Sequence, residues 1–96
     1  MIFRKLGGIA CSPDGSVFVS DERRIAVLGR KLDPQVATLA GGTTDQFRDG
    51  PARQAGIGDA RGLAFSEGRL YIADDGFCCV RCLNLVEGQS LLWRRL

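Results

Sequence analysis

At 96 residues, 45% hydrophobic and 25% charged, the chain has material for one small domain at most. Thirteen basic and eleven acidic side chains leave a net charge of only +2, with no single-signed block of the kind that marks a nucleic-acid-binding tail. There is no His, so neither a Ser-His-Asp nor a Cys-His arrangement can be assembled within the chain, and no apolar run approaches the roughly 20 residues of a membrane span.

In chain order, residues 8 to 21 (GIACSPDGSVFVSD) read as strand, turn, strand. Pro13-Asp14-Gly15 supplies the turn, because Pro fixes φ early in it and Gly15 accepts a positive φ. A second turn at Asp21-Glu22-Arg23 leads into RIAVLG (24 to 29), and VATLA (36 to 40) follows. Residues 42 to 58 are polar and Gly-rich and read as a long loop. The pattern then starts again: GLAFSEGRLYIAD (62 to 74) turns at Glu67-Gly68, Asp74-Asp75-Gly76 forms the next turn, and CCVRCLNL (78 to 85) and LLWRRL (91 to 96) complete four strands.

The second set repeats the first. Gly8 aligns with Gly62, Ile9 with Leu63, Ala10 with Ala64, Ser12 with Ser66, Gly15 with Gly68, Phe18 with Tyr71 and Asp21 with Asp74. Four short antiparallel strands repeated at this spacing are the signature of a propeller blade. Val17-Phe18-Val19 and Leu70-Tyr71-Ile72 are apolar at every position, as strands covered on both faces are. A two-sheet sandwich with similar halves is the competing architecture. The expected fold is therefore all-β, with two four-stranded antiparallel blades in one segment spanning 1–96: blade one at about 8–42, an inter-blade loop at about 43–61 and blade two at about 62–96. Closed propellers use about four to eight blades. Two blades need either copies of the chain, three copies giving six blades, or further blades of a longer chain.

The chemistry-bearing residues are few. Cys78, Cys79 and Cys82 crowd one predicted strand and are weak metal candidates, with Cys11 a conceivable fourth ligand. Strand alternation points Cys79 away from its neighbours, so buried free thiols are the expected state, and free thiols favour a reducing, intracellular compartment. Asp21 and Asp74 recur at matching turns, where a carboxylate accepts backbone N–H bonds; with Gly15 and Gly68 they are expected to be structural. Eleven arginines stand against two lysines, scattered among the acidic residues. In the long loop, Arg48, Asp49, Arg53 and Asp59 are the expected contacts for a partner. No catalytic constellation and no cofactor site are read from the residues.

The pattern GIACSPDGSVFVSD, RRIAVL, VATLAGG, FRDGPARQAGIGDARGLAF and GRLYIADDGFCCVRCLNL resembles NHL repeats. Gly62-Leu63-Ala64 is similar to the family's opening strand, Leu70-Tyr71-Ile72-Ala73-Asp74 to its second, Gly76 and Val80-Arg81 to the turn and third, and Thr38-Leu39-Ala40-Gly41 to the closing one. Asp49-Gly50 and Ala55 resemble the family's inter-blade connection. Phe77-Cys78-Cys79-Val80 departs from the usual Asn-His-Arg-Ile, and Gly7 stands in place of a proline. The resemblance implies a propeller platform that binds proteins and, in some members, RNA; a minority of related propellers are lyases or lactonases. A non-catalytic interaction module is thus the expected function. The alternatives are a piece of a propeller enzyme whose catalytic residues lie in other blades, and an RNA-binding module.

Overall fold

The computed structural model describes residues 3–28 and 36–85 with their side chains, and 90–94 by their backbone. The strands are β1 (Leu6–Cys11), β2 (Val17–Asp21), β3 (Arg24–Leu28), β4 (Val36–Gly41), β5 (Gly50–Pro51), β6 (Ala60–Ser66), β7 (Arg69–Asp74), β8 (Cys79–Asn84) and β9 (Ser90–Arg94). Helical structure among the described residues is one 3-10 turn, Ala52–Gln54. The chain is all-β, in two antiparallel sheets: β1-β2-β3-β4, and β6-β7-β8-β9 with β5 added along β9. Gly29, Arg95 and Leu96, which the sequence places in strands, lie outside the described residues.

Each tight turn follows from its residues. Glu67 (φ 51°) and Gly68 (φ 77°) are both left-handed, giving the two-residue hairpin whose twist matches its strands. The β1–β2 turn is longer: the Gly15 amide donates to the Ser12 carbonyl (3.0 Å), Gly15 has φ 93°, and the Ser16 amide donates to the Asp14 carboxylate (3.0 Å). The repeat extends to its irregularities. Register shifts between Leu6 and Ile9 in the first sheet and between Ala60 and Leu63 in the second, so that Leu6 faces Asp21 as Ala60 faces Asp74.

The sheets pack face to face, chiefly through β1 and β2 against β6. Phe18, Ile25 and Ala40 of the first meet Leu70, Ile72 and Leu83 of the second, and Phe18 stacks on Phe65 with centroids 6.1 Å apart. The connection between the sheets is part of this core, since Ala52, Ala55 and Ile57 are fully buried. Sequence reasoning treats that stretch as a polar loop. Its apolar residues, spaced three and two apart, instead turn inward while the charged ones between them stay in water.

Gly8 sets how closely the sheets approach. A Cβ on Gly8 would lie 2.5 Å from the Arg61 carbonyl oxygen, so only glycine lets β1 lie against β6. Ser20 bolts the same contact, its Oγ accepting from the Gly8 amide and donating to the Arg61 carbonyl, both at 2.6 Å. The Ala60 amide adds a bond to the Glu22 carbonyl (2.6 Å).

Burial differs between the two second strands. In β2, residues Phe18 to Asp21 are buried without a break, while Val17, which opens the apolar run, is half-buried. In β7, Leu70, Ile72 and Asp74, on the face toward the first sheet, are buried, while Arg69 and Ala73 on the other face are exposed and Tyr71 there is half-buried.

Candidate functional site

The best-built polar cluster lies at the end of the strands where Asp21 and Asp74 sit. Arg81 is in the middle of β8 with Ile72 opposite, and it is fully buried. A buried guanidinium is costly unless its donors are matched, and here both terminal nitrogens are matched while Nε has no partner among the described residues. Nη1 donates to the Asp74 carboxylate (3.1 Å) and the Gly56 carbonyl (2.7 Å); Nη2 donates to the Arg48 carbonyl (3.0 Å) and the Asp49 carboxylate (3.1 Å). The Phe47 ring covers the guanidinium at 4.5 Å and meets Phe77 edge-on at 5.3 Å.

Asp74 completes the cluster. Its carboxylate accepts from the amides of Gly58 (3.1 Å), Asp59 (3.0 Å) and Phe77 (3.2 Å). One aspartate and one arginine thus hold the middle of the 42–58 connection, at Arg48 and Asp49, and its far end, at Gly56 and Gly58, against the sheet. Gly58 and Gly76 touch closely here: a Cβ on Gly76 would lie 2.7 Å from the Gly58 backbone.

The first sheet carries a smaller version. Asp21 accepts from the amides of Arg4 (2.9 Å) and Lys5 (2.6 Å) and from Nε of Arg24 (3.0 Å). Burial raises its pKa, but the two amides and the Arg24 guanidinium outweigh that, and the carboxyl is held below its ordinary value. Both aspartates therefore reach beyond their own turns to tie down the segment that precedes their sheet. Gly15 and Gly68 sit at the opposite end of the strands, in the turns the sequence assigns to them.

The four loop candidates separate by role. Arg48 and Arg53 are exposed side chains, and their carbonyls bind Arg81 and Thr43 Oγ1 (3.3 Å) respectively. Asp49 is engaged by Arg81 and is about 38% exposed. Asp59 pairs with Arg61 (2.9 Å) and Lys5 (3.8 Å). Arg81, Phe47 and Phe77 escape the sequence reading. An arginine inside the apolar run CCVRCLNL, seven residues after Asp74, is the signal that could have found the pair.

The cysteines do not converge. Cys79 lies opposite Asp74 and Cys82 opposite Tyr71, on opposite faces of the sheet. Cys78 precedes the strand at φ 52° and is exposed, Cys82 is buried, and Cys11 is exposed in the other sheet. Burial, followed by the nearby Asp74 charge, pushes the Cys79 thiol up, away from the reactive thiolate. Among the described residues, no group of three or more His, Cys, Asp or Glu side chains is placed to hold a metal ion. At the other end of the strands an open groove of about 540 Å³ runs between the sheets, lined by Phe18, Phe65, Val27 and Leu85 with Ser12 and Asp14 at its rim.

No family model matches the chain. It is similar to Protein SUPPRESSOR OF QUENCHING 1, chloroplastic, of Arabidopsis thaliana, at 35% identity over 87 residues. The match covers 86% of this chain and 8% of that protein, so the chain spans less than a tenth of its relative's length. Among the described residues no helix is long and apolar enough to cross a membrane.

Proposed function

We propose that the two sheets are NHL-type propeller blades and that the chain is a non-catalytic interaction module, binding a protein partner through the end carrying residues 42–58. One observation carries this reading: Phe47 is 44% exposed yet fixed in place by Arg81 and Phe77, with the exposed Arg48 beside it and Arg53 on the same loop. A rigid aromatic with a flanking arginine is the composition of protein-binding hot spots, and rigidity lowers the entropy lost on binding. The resemblance to a small stretch of a much longer protein supports a module within a larger assembly rather than an autonomous enzyme.

The test is site-specific photo-crosslinking in an extract of the source cells, with the crosslinker at position 47 and, as control, at position 15 in the opposite turn. A discrete protein adduct from position 47, lost in the Arg48→Glu/Arg53→Glu variant and absent from position 15, is the expected result. Nucleic acid as the crosslinked species, or equal labelling from both positions, would overturn it; RNA binding would also weaken steeply with salt.

A further inference from the structure

The loop that carries Phe47 is closed on itself before any partner arrives. Arg48 and Gly56 form an antiparallel bridge, with the Gly56 amide donating to the Arg48 carbonyl (2.9 Å), and Ala52–Gln54 wind into the 3-10 turn inside the loop so formed. Gly56 is the condition for this closure, since a Cβ there would collide with the Gln46 carbonyl oxygen. The Arg48 carbonyl also accepts from Nη2 of Arg81 (3.0 Å), and the Arg53 carbonyl from Thr43 Oγ1 (3.3 Å). Both arginines are thus held at the backbone, and docking has only their side chains left to order.

The charges of this connection are unequally committed. Asp49 is drawn to Arg81 (3.1 Å), and Asp59 is held by Arg61 (2.9 Å) and Lys5 (3.8 Å). Neither carboxylate is left for Arg48 or Arg53, which are exposed and form no ion pair among the described residues. The exposed Phe47 ring therefore has two guanidinium groups on its loop whose missing counterpart is a carboxylate, the group that a guanidinium fork matches in geometry. A polyphosphate backbone, which binds through many cations at once, is the poorer match: Asp45 and the 38%-exposed Asp49 stand two residues to either side of Phe47 and repel it.

We propose that the partner docks through an acidic linear segment, in which an aromatic or aliphatic side chain packs against Phe47 and neighbouring carboxylates pair with Arg48 and Arg53. The proposal rests on the reading of the Phe47 loop as the protein-binding end and gives that partner its chemistry. The apolar anchor supplies the binding energy at a fixed aromatic, and the two charge pairs at its edge set which sequences are admitted and how fast they arrive.

The experiment is selection of a random peptide library displayed on phage against the immobilised protein, repeated on the Arg48→Glu/Arg53→Glu variant, with circular dichroism to show that the variant retains its sheets. Peptides selected on the wild type are expected to carry Asp or Glu within a few residues of a Phe, Tyr, Trp or Leu. A synthetic copy of one is expected to bind the variant at least about tenfold more weakly, and the variant to select Lys or Arg in the same places. Neutral or basic peptides on the wild type, acidic peptides that bind the variant equally well, or no enriched sequence would each overturn the proposal. If a protein adduct still forms from position 47 in any of these cases, the acidic segment falls and the protein-binding reading stands; a nucleic-acid adduct removes both.

Discussion

The two sheets share a sequence pattern and an aspartate at the end of the second strand, yet they spend that aspartate differently. In the first, Arg24 stands directly opposite Asp21 at the start of β3, and its side chain is about 21% exposed. In the second, Cys79 occupies the position opposite Asp74, and the arginine has moved two residues along the strand to 81, where it is fully buried. The move keeps the side chain on the same face but carries it inward, under the connection. Arg24 holds its own aspartate and Thr38 Oγ1 (2.9 Å); Arg81 holds an aspartate, two loop carbonyls and a loop carboxylate. The segment to be anchored explains the difference: Arg4 and Lys5 before the first sheet, against Arg48, Asp49, Gly56, Gly58 and Asp59 before the second.

This comparison can be broken at its strongest point first. Arg81→Met leaves Asp74 buried without its cation and the loop carbonyls without donors, and should cost about 3–5 kcal/mol, enough to unfold most of a small domain in a denaturant titration. Arg24→Met should cost less, about 1–2 kcal/mol, because the buried Asp21 carboxylate keeps the Arg4 and Lys5 amides when the guanidinium is lost. Ser20→Ala, which orphans the Gly8 amide and the Arg61 carbonyl between the sheets, is expected to fall between them at about 1–3 kcal/mol by the same titration.

Acid should loosen the anchor of the first sheet. Asp21 has a depressed pKa when folded, so its stabilising contribution is complete above the unfolded value of about 3.9 and is lost as pH falls through the folded one. Stability that is flat from pH 5 to 7 and declines below about pH 4 is expected, and Asp21→Asn should flatten that decline. The smallest effect belongs to Phe47→Ala: losing the ring over Arg81 should cost about 1 kcal/mol while removing the exposed aromatic that the partner-binding proposal requires.

Much of the architecture was legible because the local signals agree. Turn glycines at 15 and 68 and uninterrupted apolar strands fix the two antiparallel sheets and their common register, since a slip of one residue would turn every side chain to the wrong face. The repeat placed Asp21 and Asp74 at equivalent turns. Their partners were harder to read, because they come from segments about 15 residues or more upstream in sequence, and turn chemistry describes only the residues of the turn. The connection is hard to read for a similar reason: Ala52, Ala55 and Ile57 turn inward in a segment that Arg81 anchors from β8, far away in sequence. The loop charges looked alike in the sequence, and only their distances from Arg81 and Arg61 separate Asp49 and Asp59 from Arg48 and Arg53.

The most direct measurement is a pair of double-mutant cycles in denaturant, Asp74→Asn with Arg81→Met and Asp21→Asn with Arg24→Met, read together with amide exchange at Gly58 and Asp59. A coupling energy at least about 1 kcal/mol larger for the 74–81 pair, with protection at Gly58 and Asp59 lost in either single variant of that pair, is the predicted result. Equal couplings in the two sheets, or undiminished protection of those amides without Arg81, would contradict the claim that this one buried pair holds the connection in place.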